Sequence, residues 1–356
     1  SSIAKPALPR LNNKVSDFIP VARIADMLLN PGTKYDYDGE KRTYPNIKMI
    51  YWCGGNPFHH HQDLNRLLEA WQRPETIIVN EPWWNANARH ADIIFPVATT
   101  LERNDIGGGR RDKFIFAMQK AIEPVGQSRT DYEIFSLISK KLGFSDEFTE
   151  GRSEKEWLES FYSQFQKSAK ELDIKMPNFS EFWSNGFYEF PEDKPKAFLH
   201  KFRSDPERNQ LRTPSGKIEI YSSTIDNFEY EDCPGHPVWL EPCEWLGSDK
   251  ITKFPLHLIT NQPKTRLHSQ YDNGGYSLKN KIKGREPVSI NPKDAHKRGI
   301  KDGDIIKVYN SRGACLAGVI ITEDVMPSVI QISTGAWFDP LNPGQAGSMD
   351  VHGNPN

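Results

Sequence analysis

The densest run of side chains able to do chemistry is Asn261-Gln262-Pro263-Lys264-Thr265-Arg266-Leu267-His268-Ser269-Gln270. Within ten residues it offers amide, hydroxyl, guanidinium and imidazole groups, a density of donors suited to holding a pyrophosphate or another polar ligand. A second group lies upstream. Gly54 and Gly55 allow a tight backbone turn, and Asn56 follows with a short amide that can both donate and accept. Asn80 and Glu81 stand at the carboxyl end of an apolar run, where an acidic residue commonly takes a ribose hydroxyl or a base edge; a solvated loop acid is the plainer role. Arg103 lies among charges and beside Gly107, Gly108 and Gly109. A guanidinium there makes charge-assisted bonds to phosphate oxygens, although a run of charges is usually a wet loop. All of this is binding chemistry: no nucleophile, general base or metal ligand is visible, and none is predicted.

The consecutive histidines His59, His60 and His61 invite a metal reading, but neighbours on a regular element cannot all point at one ion, and no second cluster completes a zinc set. The four cysteines, Cys53, Cys233, Cys243 and Cys315, form no CxxC pair, which argues against an iron–sulfur cluster or a structural zinc. Cys53 and Cys315 lie in apolar strand-like runs and are expected to be buried; a Cys233 to Cys243 bridge stays open in an oxidising compartment.

The elements that must position these groups alternate. Residues 49–53 read as a buried strand, Gly54-Gly55 as a turn, and Leu64, Leu67, Leu68 and Trp71 recur at helical spacing. Free N–H groups at such a helix start face the carboxyl edge of a parallel sheet, where dinucleotides settle. The glycine pair lacks the spacing of the common dinucleotide fingerprint and of a P-loop, so an ordinary strand-to-helix turn explains it equally well on pattern alone. Residues 76–79 and 91–96 read as further strands, and their alternation with helices implies parallel order. Thr130 with Glu133 makes a capping box opening a helix over 131–142, and Asp131 in its first turn favours the helix dipole. Ser153 begins a helix carrying Trp157, Leu158, Phe161 and Phe165, followed by Phe179, Phe182, Trp183, Phe187 and Tyr188, aromatics at the spacing of a core. A strand is expected over 217–221.

Short strands then dominate, over 256–260, 288–290, 304–310, 315–321 and 329–332, and they read as a compact β-barrel. The expected organisation is α/β: a connector over 1–16, a Rossmann-like parallel-sheet domain with a helical aromatic insertion over 17–232, a proline-rich linker over 233–254 and a barrel domain over 255–356. The formal charge of −2, from 45 basic and 47 acidic residues, leaves no footprint for nucleic acid and no polybasic anchor. No segment has the apolar length to cross a bilayer, so no direct membrane insertion is expected.

Several separated stretches, in order, resemble the dimethyl sulfoxide reductase family of molybdopterin oxidoreductases. They are Asp17-Phe18-Ile19-Pro20-Val21-Ala22-Arg23, Gly54 to Asp63, Glu102-Arg103-Asn104-Asp105-Ile106-Gly107-Gly108, Thr260-Asn261-Gln262-Pro263, Arg266-Leu267-His268-Ser269-Gln270 and His352-Gly353-Asn354-Pro355-Asn356. The wording is nearest to the branch that reduces trimethylamine N-oxide and biotin sulfoxide. The resemblance implies a molybdenum bis(molybdopterin guanine dinucleotide) cofactor and a last domain that is a six-stranded, double-psi-like barrel. It implicates Gly55, Asn56, His60, Asn80, Glu81, Arg103, Asp131, Asn261, Gln262, Arg266, His268, Ser269 and Asn354 in cofactor binding, with Asp131 on a guanine edge and the 261–270 loop against the pterin and phosphates. It further implies a small S- or N-oxide substrate and an electron donor such as a c-type cytochrome or a quinol-linked protein. A periplasmic site is expected, with the cytoplasm as the alternative. The start at Ser1 and the end at Asn356, inside what the family uses as a binding loop, suggest a segment of a longer protein whose metal-binding serine lies upstream. A rival of another class is a stand-alone nucleotide-binding or scaffold module; a rival within the family is a formate dehydrogenase or nitrate reductase.

Overall fold

The computed structural model describes residues 8–9, 15, 17–109, 112–191 and 197–356. Most of the expected 1–16 connector, and Arg110 and Arg111 of the charged loop, lie outside the described residues. The chain divides into two compact units, one built on Asn80–Trp83 and Phe95–Glu219, the other on Phe18–Val79, Trp84–Ile94 and Ile220–Asn356. This division departs from chain order, because the strand, glycine turn and helix share a unit with the C-terminal strands. Polar ties explain the grouping. Asn65 donates to the Arg312 carbonyl at 3.0 Å and accepts from the Gly347 amide at 2.9 Å. Gln72 donates to the Gly344 carbonyl at 3.2 Å, and Arg89 pairs with Asp339 at 2.9 Å.

In the second unit the strand Met49–Cys53 runs into Gly54 and Gly55, both at φ +77°, in the left-handed region that favours glycine. A short helix Pro57–His60 follows, then the helix Leu64–Trp71, capped by Asp63, whose carboxylate accepts from the Arg66 amide at 3.1 Å. That helix buries Leu64, Leu67, Leu68, Ala70 and Trp71 on one face, as the spacing predicts. Phe58 anchors the packing: it is fully buried, stacked on His90 at 4.4 Å and on Phe338 at 6.0 Å, and edge-on to Trp71 at 5.7 Å.

The expected buried strand at 49–53 is corrected. In the parallel three-stranded sheet, Thr76–Glu81 lies between Met49–Cys53 and Ile93–Pro96, so the first strand is an edge and only the middle one is well buried. Met49 is accordingly exposed, and so is Cys53, which was expected inside; Cys315 is the buried thiol, and Cys233 and Cys243 are free and exposed.

The C-terminal strands form a five-stranded mixed sheet in the order Ile305–Tyr309, Ala314–Ile321, Pro287–Ile290, Val329–Ser333, His257–Asn261. Pro287–Ile290 pairs parallel with Ala314–Ile321, and Val329–Ser333 pairs parallel with His257–Asn261. Val288, Ile290, Ala317, Val319 and Ile332 form its core. Among the described residues this sheet has five strands, and no sixth strand closes it into the expected barrel. The two edge strands do not pair, the 340–350 segment contributes only single bridges, and a cleft of about 750 Å³ opens beside Leu258, Ile290, Ile306, Val308 and Ile330.

The first unit carries the antiparallel strands Asp105–Gly107, Phe114–Met118 and Phe187–Glu189 and the helices Asp131–Leu142, Glu154–Lys170 and Phe179–Asn185. The expected capping box, Thr130 with Glu133, is present, and Ser153 with Glu156 forms a second one. The aromatics are core as expected: Tyr162 and Phe182 are fully buried and stacked at 4.4 Å, with Phe165 and Phe190 beside them. The strand expected over 217–221 is not formed; that stretch is irregular and follows a turn in which the Thr213 hydroxyl donates to the Lys217 carbonyl at 2.6 Å.

Candidate functional site

Within the second unit, two loops distant in sequence meet. Asn56 caps the helix Pro57–His60, its Oδ1 accepting from the Phe58 amide at 3.1 Å. The loop after His257–Asn261 carries His268, whose ring centroid lies 5.6 Å from that of His59. Gln262 Nε2 and His268 Nδ1 are 3.1 Å apart, so those two predicted residues act together. His268 holds φ +52° and Gly335 backs its carbonyl so closely that a Cβ there would meet it at 2.1 Å.

Asn56, His59 and His61 are each more than nine-tenths buried, and Asn56 Nδ2, His59 Nδ1 and His61 Nε2 have no hydrogen-bond partner among the described residues. Buried polar atoms without partners are rare because each costs about 1–3 kcal/mol. His60, the histidine singled out in the sequence, is instead exposed. His59 and His61 therefore join the candidate site, although the sequence pointed only to their neighbour and carried no signal that separates the three rings.

Burial, with the neighbouring His60, His268 and Arg266, lowers the His59 pKa to about 4; burial and His60 lower His61 to about 4. Burial, then His268, lowers His60 as well. These imidazoles are neutral near pH 7. Since the unfolded rings take up protons near pH 6.5, the unfolded chain binds more protons between about pH 6.5 and 4. Stability is therefore full above that window and falls as pH drops through it, by about 1–3 kcal/mol for each of His59 and His61. Urea unfolding at pH 7.5 and pH 5 is expected to show this loss, and a His61→Gln variant a smaller one; equal losses in the two proteins would refute the assignment.

The remaining predicted residues of this unit are bonded inward. Asn261 donates to the Gln262 carbonyl at 2.9 Å and accepts from the Ser333 hydroxyl at 3.1 Å. The Ser269 carbonyl accepts from Trp337 Nε1 at 2.8 Å. Asn354 donates to the carbonyls of Phe58 at 3.2 Å and Ala336 at 3.0 Å, tying the terminal loop to the Asn56 turn. Asp350, which the sequence reading passed over, organises that loop: its carboxylate accepts from the amides of Asp339, His352, Gly353 and Asn354 at 2.7–2.9 Å. Burial pushes it up to about 6 against the pull of those amides. Arg266 is enclosed among carboxylates and carbonyls.

In the first unit, Asn80 Nδ2 donates to Asp131 Oδ1 at 2.8 Å, bringing together a strand end and a helix start. Glu81 accepts from the Trp83 amide at 3.3 Å, and Arg103 pairs with Asp105. Glu102 fixes the base of that loop by accepting from the amides of Thr99 at 2.7 Å and Val125 at 2.6 Å, and these bonds hold its carboxyl below the usual range.

Comparison with known proteins gives this geometry a context. Residues 19–141 match the model of the molybdopterin oxidoreductases, and residues 256–356 match that of the molydopterin dinucleotide binding domain. The chain is 48% identical over 352 residues to a biotin sulfoxide reductase of Cereibacter sphaeroides, covering 99% of this chain and 47% of that protein. It is 48% identical to a dimethyl sulfoxide/trimethylamine N-oxide reductase of the same organism, covering 95% of this chain and 42% of that protein. A trimethylamine-N-oxide reductase of Haemophilus influenzae is 42% identical, over 94% of this chain and 41% of its own length. The chain thus spans less than half the length of these curated relatives. Among solved structures, acetylene hydratase from Pelobacter acetylenicus shares the fold, with a TM-score of 0.66 at 20% identity, over 85% of this chain and 40% of the other.

Proposed function

The chain belongs to the molybdopterin oxidoreductases, and from that premise we propose that it holds the dinucleotide tails of a molybdenum bis(molybdopterin guanine dinucleotide) cofactor in an enzyme that takes an oxygen atom from S-oxides or N-oxides. The observation that carries this reading is the group of buried, partnerless polar atoms on Asn56, His59 and His61 beside His268. A polar ligand laid over them would relieve the cost of their burial. When bound, the cofactor supplies the redox and oxygen-transfer chemistry at its molybdenum.

The protein's own share is to bind and orient. Gly54 and Gly55 bring backbone close to the ligand, and Asn56, His59, His60, His61, Gln262 and His268 offer their polar atoms to it. Asn261, Ser269 and Asn354, bonded within the protein, are walls of the site. In the other unit the Asn80–Asp131 pair supports a guanine site, because the amide fixes a carboxylate that can accept from N1 and N2 of the base. Glu81 takes the ribose and Arg103 a phosphate, exchanging Asp105 for it. The substrate is a small oxide, the electrons come from a c-type cytochrome or quinol-linked protein, and the compartment is the periplasm, the setting that the resemblance implies.

Calorimetric titration of the cofactor-free full-length protein with GDP and AMP tests the reading. GDP is expected to bind at least about tenfold tighter, and Asp131→Ala to abolish that preference, since a site built around a hydrogen-bonding carboxylate rejects a base that lacks the matching N–H groups. Equal affinities in the unmodified protein would overturn it.

A further inference from the structure

Arg266 was expected to touch the ligand, yet its side chain is 2% exposed and its guanidinium is fully engaged. Arg266 Nε lies 3.3 Å from Asp272 and Nη2 lies 3.1 Å from Glu286. Lys281 Nζ closes the figure, 2.8 Å from Asp272 and 3.1 Å from Glu286. The other three side chains are also buried, at 0% for Asp272, 1% for Lys281 and 5% for Glu286. Two cations and two anions thus form a closed, charge-balanced square, with His352 Nε2 at 3.5 Å from Asp272 on its flank.

Arg266 Nη1 also donates to the Ser277 hydroxyl at 3.2 Å, and the other bonds that leave this square reach backbone at and near His268. Arg266 Nε donates to the His268 carbonyl at 3.2 Å, and Nη2 donates to the Thr334 carbonyl at 3.2 Å. Asp272 accepts from the Trp337 amide at 2.9 Å, and Trp337 Nε1 donates in turn to the Ser269 carbonyl at 2.8 Å. His268 has a left-handed backbone, which a non-glycine residue keeps only when its surroundings impose it. Only a planar fork of donors can serve two carboxylates and two carbonyls at once, which a lysine cannot do.

We propose that Arg266 is a positioning residue: through the buried square with Asp272, Lys281 and Glu286 it fixes His268 and Ser269 so that the His268 ring faces His59 and Gln262, and it does not itself contact the cofactor. The inference rests on the cofactor reading above. Its test uses the full-length protein made in cells that supply the cofactor, with two variants. Arg266→Lys keeps the charge but loses the fork; the double variant Arg266→Met with Glu286→Gln removes one charge of each sign and leaves Lys281 paired with Asp272.

Guanine nucleotide and molybdenum per chain are measured after gel filtration, with the electron paramagnetic resonance line shape of the loaded fraction. Cofactor content is expected to fall about tenfold in both variants, and the line shape of what remains to change. A folded variant with the original content and line shape overturns the inference. So does insolubility of both variants, which would assign the square to folding alone. Unmodified protein devoid of guanine nucleotide would instead overturn the cofactor reading, and the inference with it.

Discussion

Asp272→Ala is expected to lower the unfolding free energy of the full-length protein by about 3–5 kcal/mol. Asp272 is fully buried; burial alone would raise its pKa, but Lys281 and Arg266 more than offset this and hold it low. Removing it leaves two buried cations facing one carboxylate, and unpairing a buried charge costs more than the pair itself contributes. The Trp337 amide, which Asp272 accepts at 2.9 Å, loses its partner in the same step. The urea midpoint measures the effect, and a loss below about 1 kcal/mol, the range of a solvated ion pair, would show that the square is not sealed from water.

Gly335→Ala should be nearly as damaging, at about 3 kcal/mol, by a different route. Gly335 sits at φ +95°, and a Cβ there would meet the His268 carbonyl oxygen at 2.1 Å and its carbon at 2.6 Å. Both are backbone atoms held by Arg266, so the neighbour cannot swing away. Gly344→Ala is the control: it shares the positive φ, at +77°, but its Cβ would meet nothing within 4 Å. Only the strain of about 1 kcal/mol should remain there. Thermal unfolding compares the two, and hydrogen exchange over 266–270 should accelerate in the first alone. Equal shifts in both variants would show that the close approach to His268 is not what matters.

Local codes were legible from sequence, and distant pairings were not. The helix Asp131–Leu142 begins where Thr130 and Glu133 announce it, because a capping box is complete within four residues. Leu64, Leu67, Leu68 and Trp71 gave their helix by period. The depth of Met49–Cys53 was misjudged because an apolar run says nothing about which strand ends up at the edge of a sheet. Arg266 was expected to contact the ligand, and its buried partners Asp272, Lys281 and Glu286 were not foreseen, because they come from turns that only the folded chain brings together. The same holds for His59: a triplet of imidazoles does not disclose which rings are buried until the His268 loop is folded against it.

The stack of His90, Phe58 and Phe338, together with the Asn65 and Asn354 ties, has a practical consequence for dissecting the molecule. The chain is not divided into folding units near residue 256, because the unit that holds the C-terminal strands also holds Phe18–Val79 and Trp84–Ile94. A recombinant piece cut there would carry Phe338 without its aromatic partner, and Arg312 and Gly347 without Asn65. Swapping the C-terminal module between paralogues would accordingly require transplanting residues 56–72 along with it.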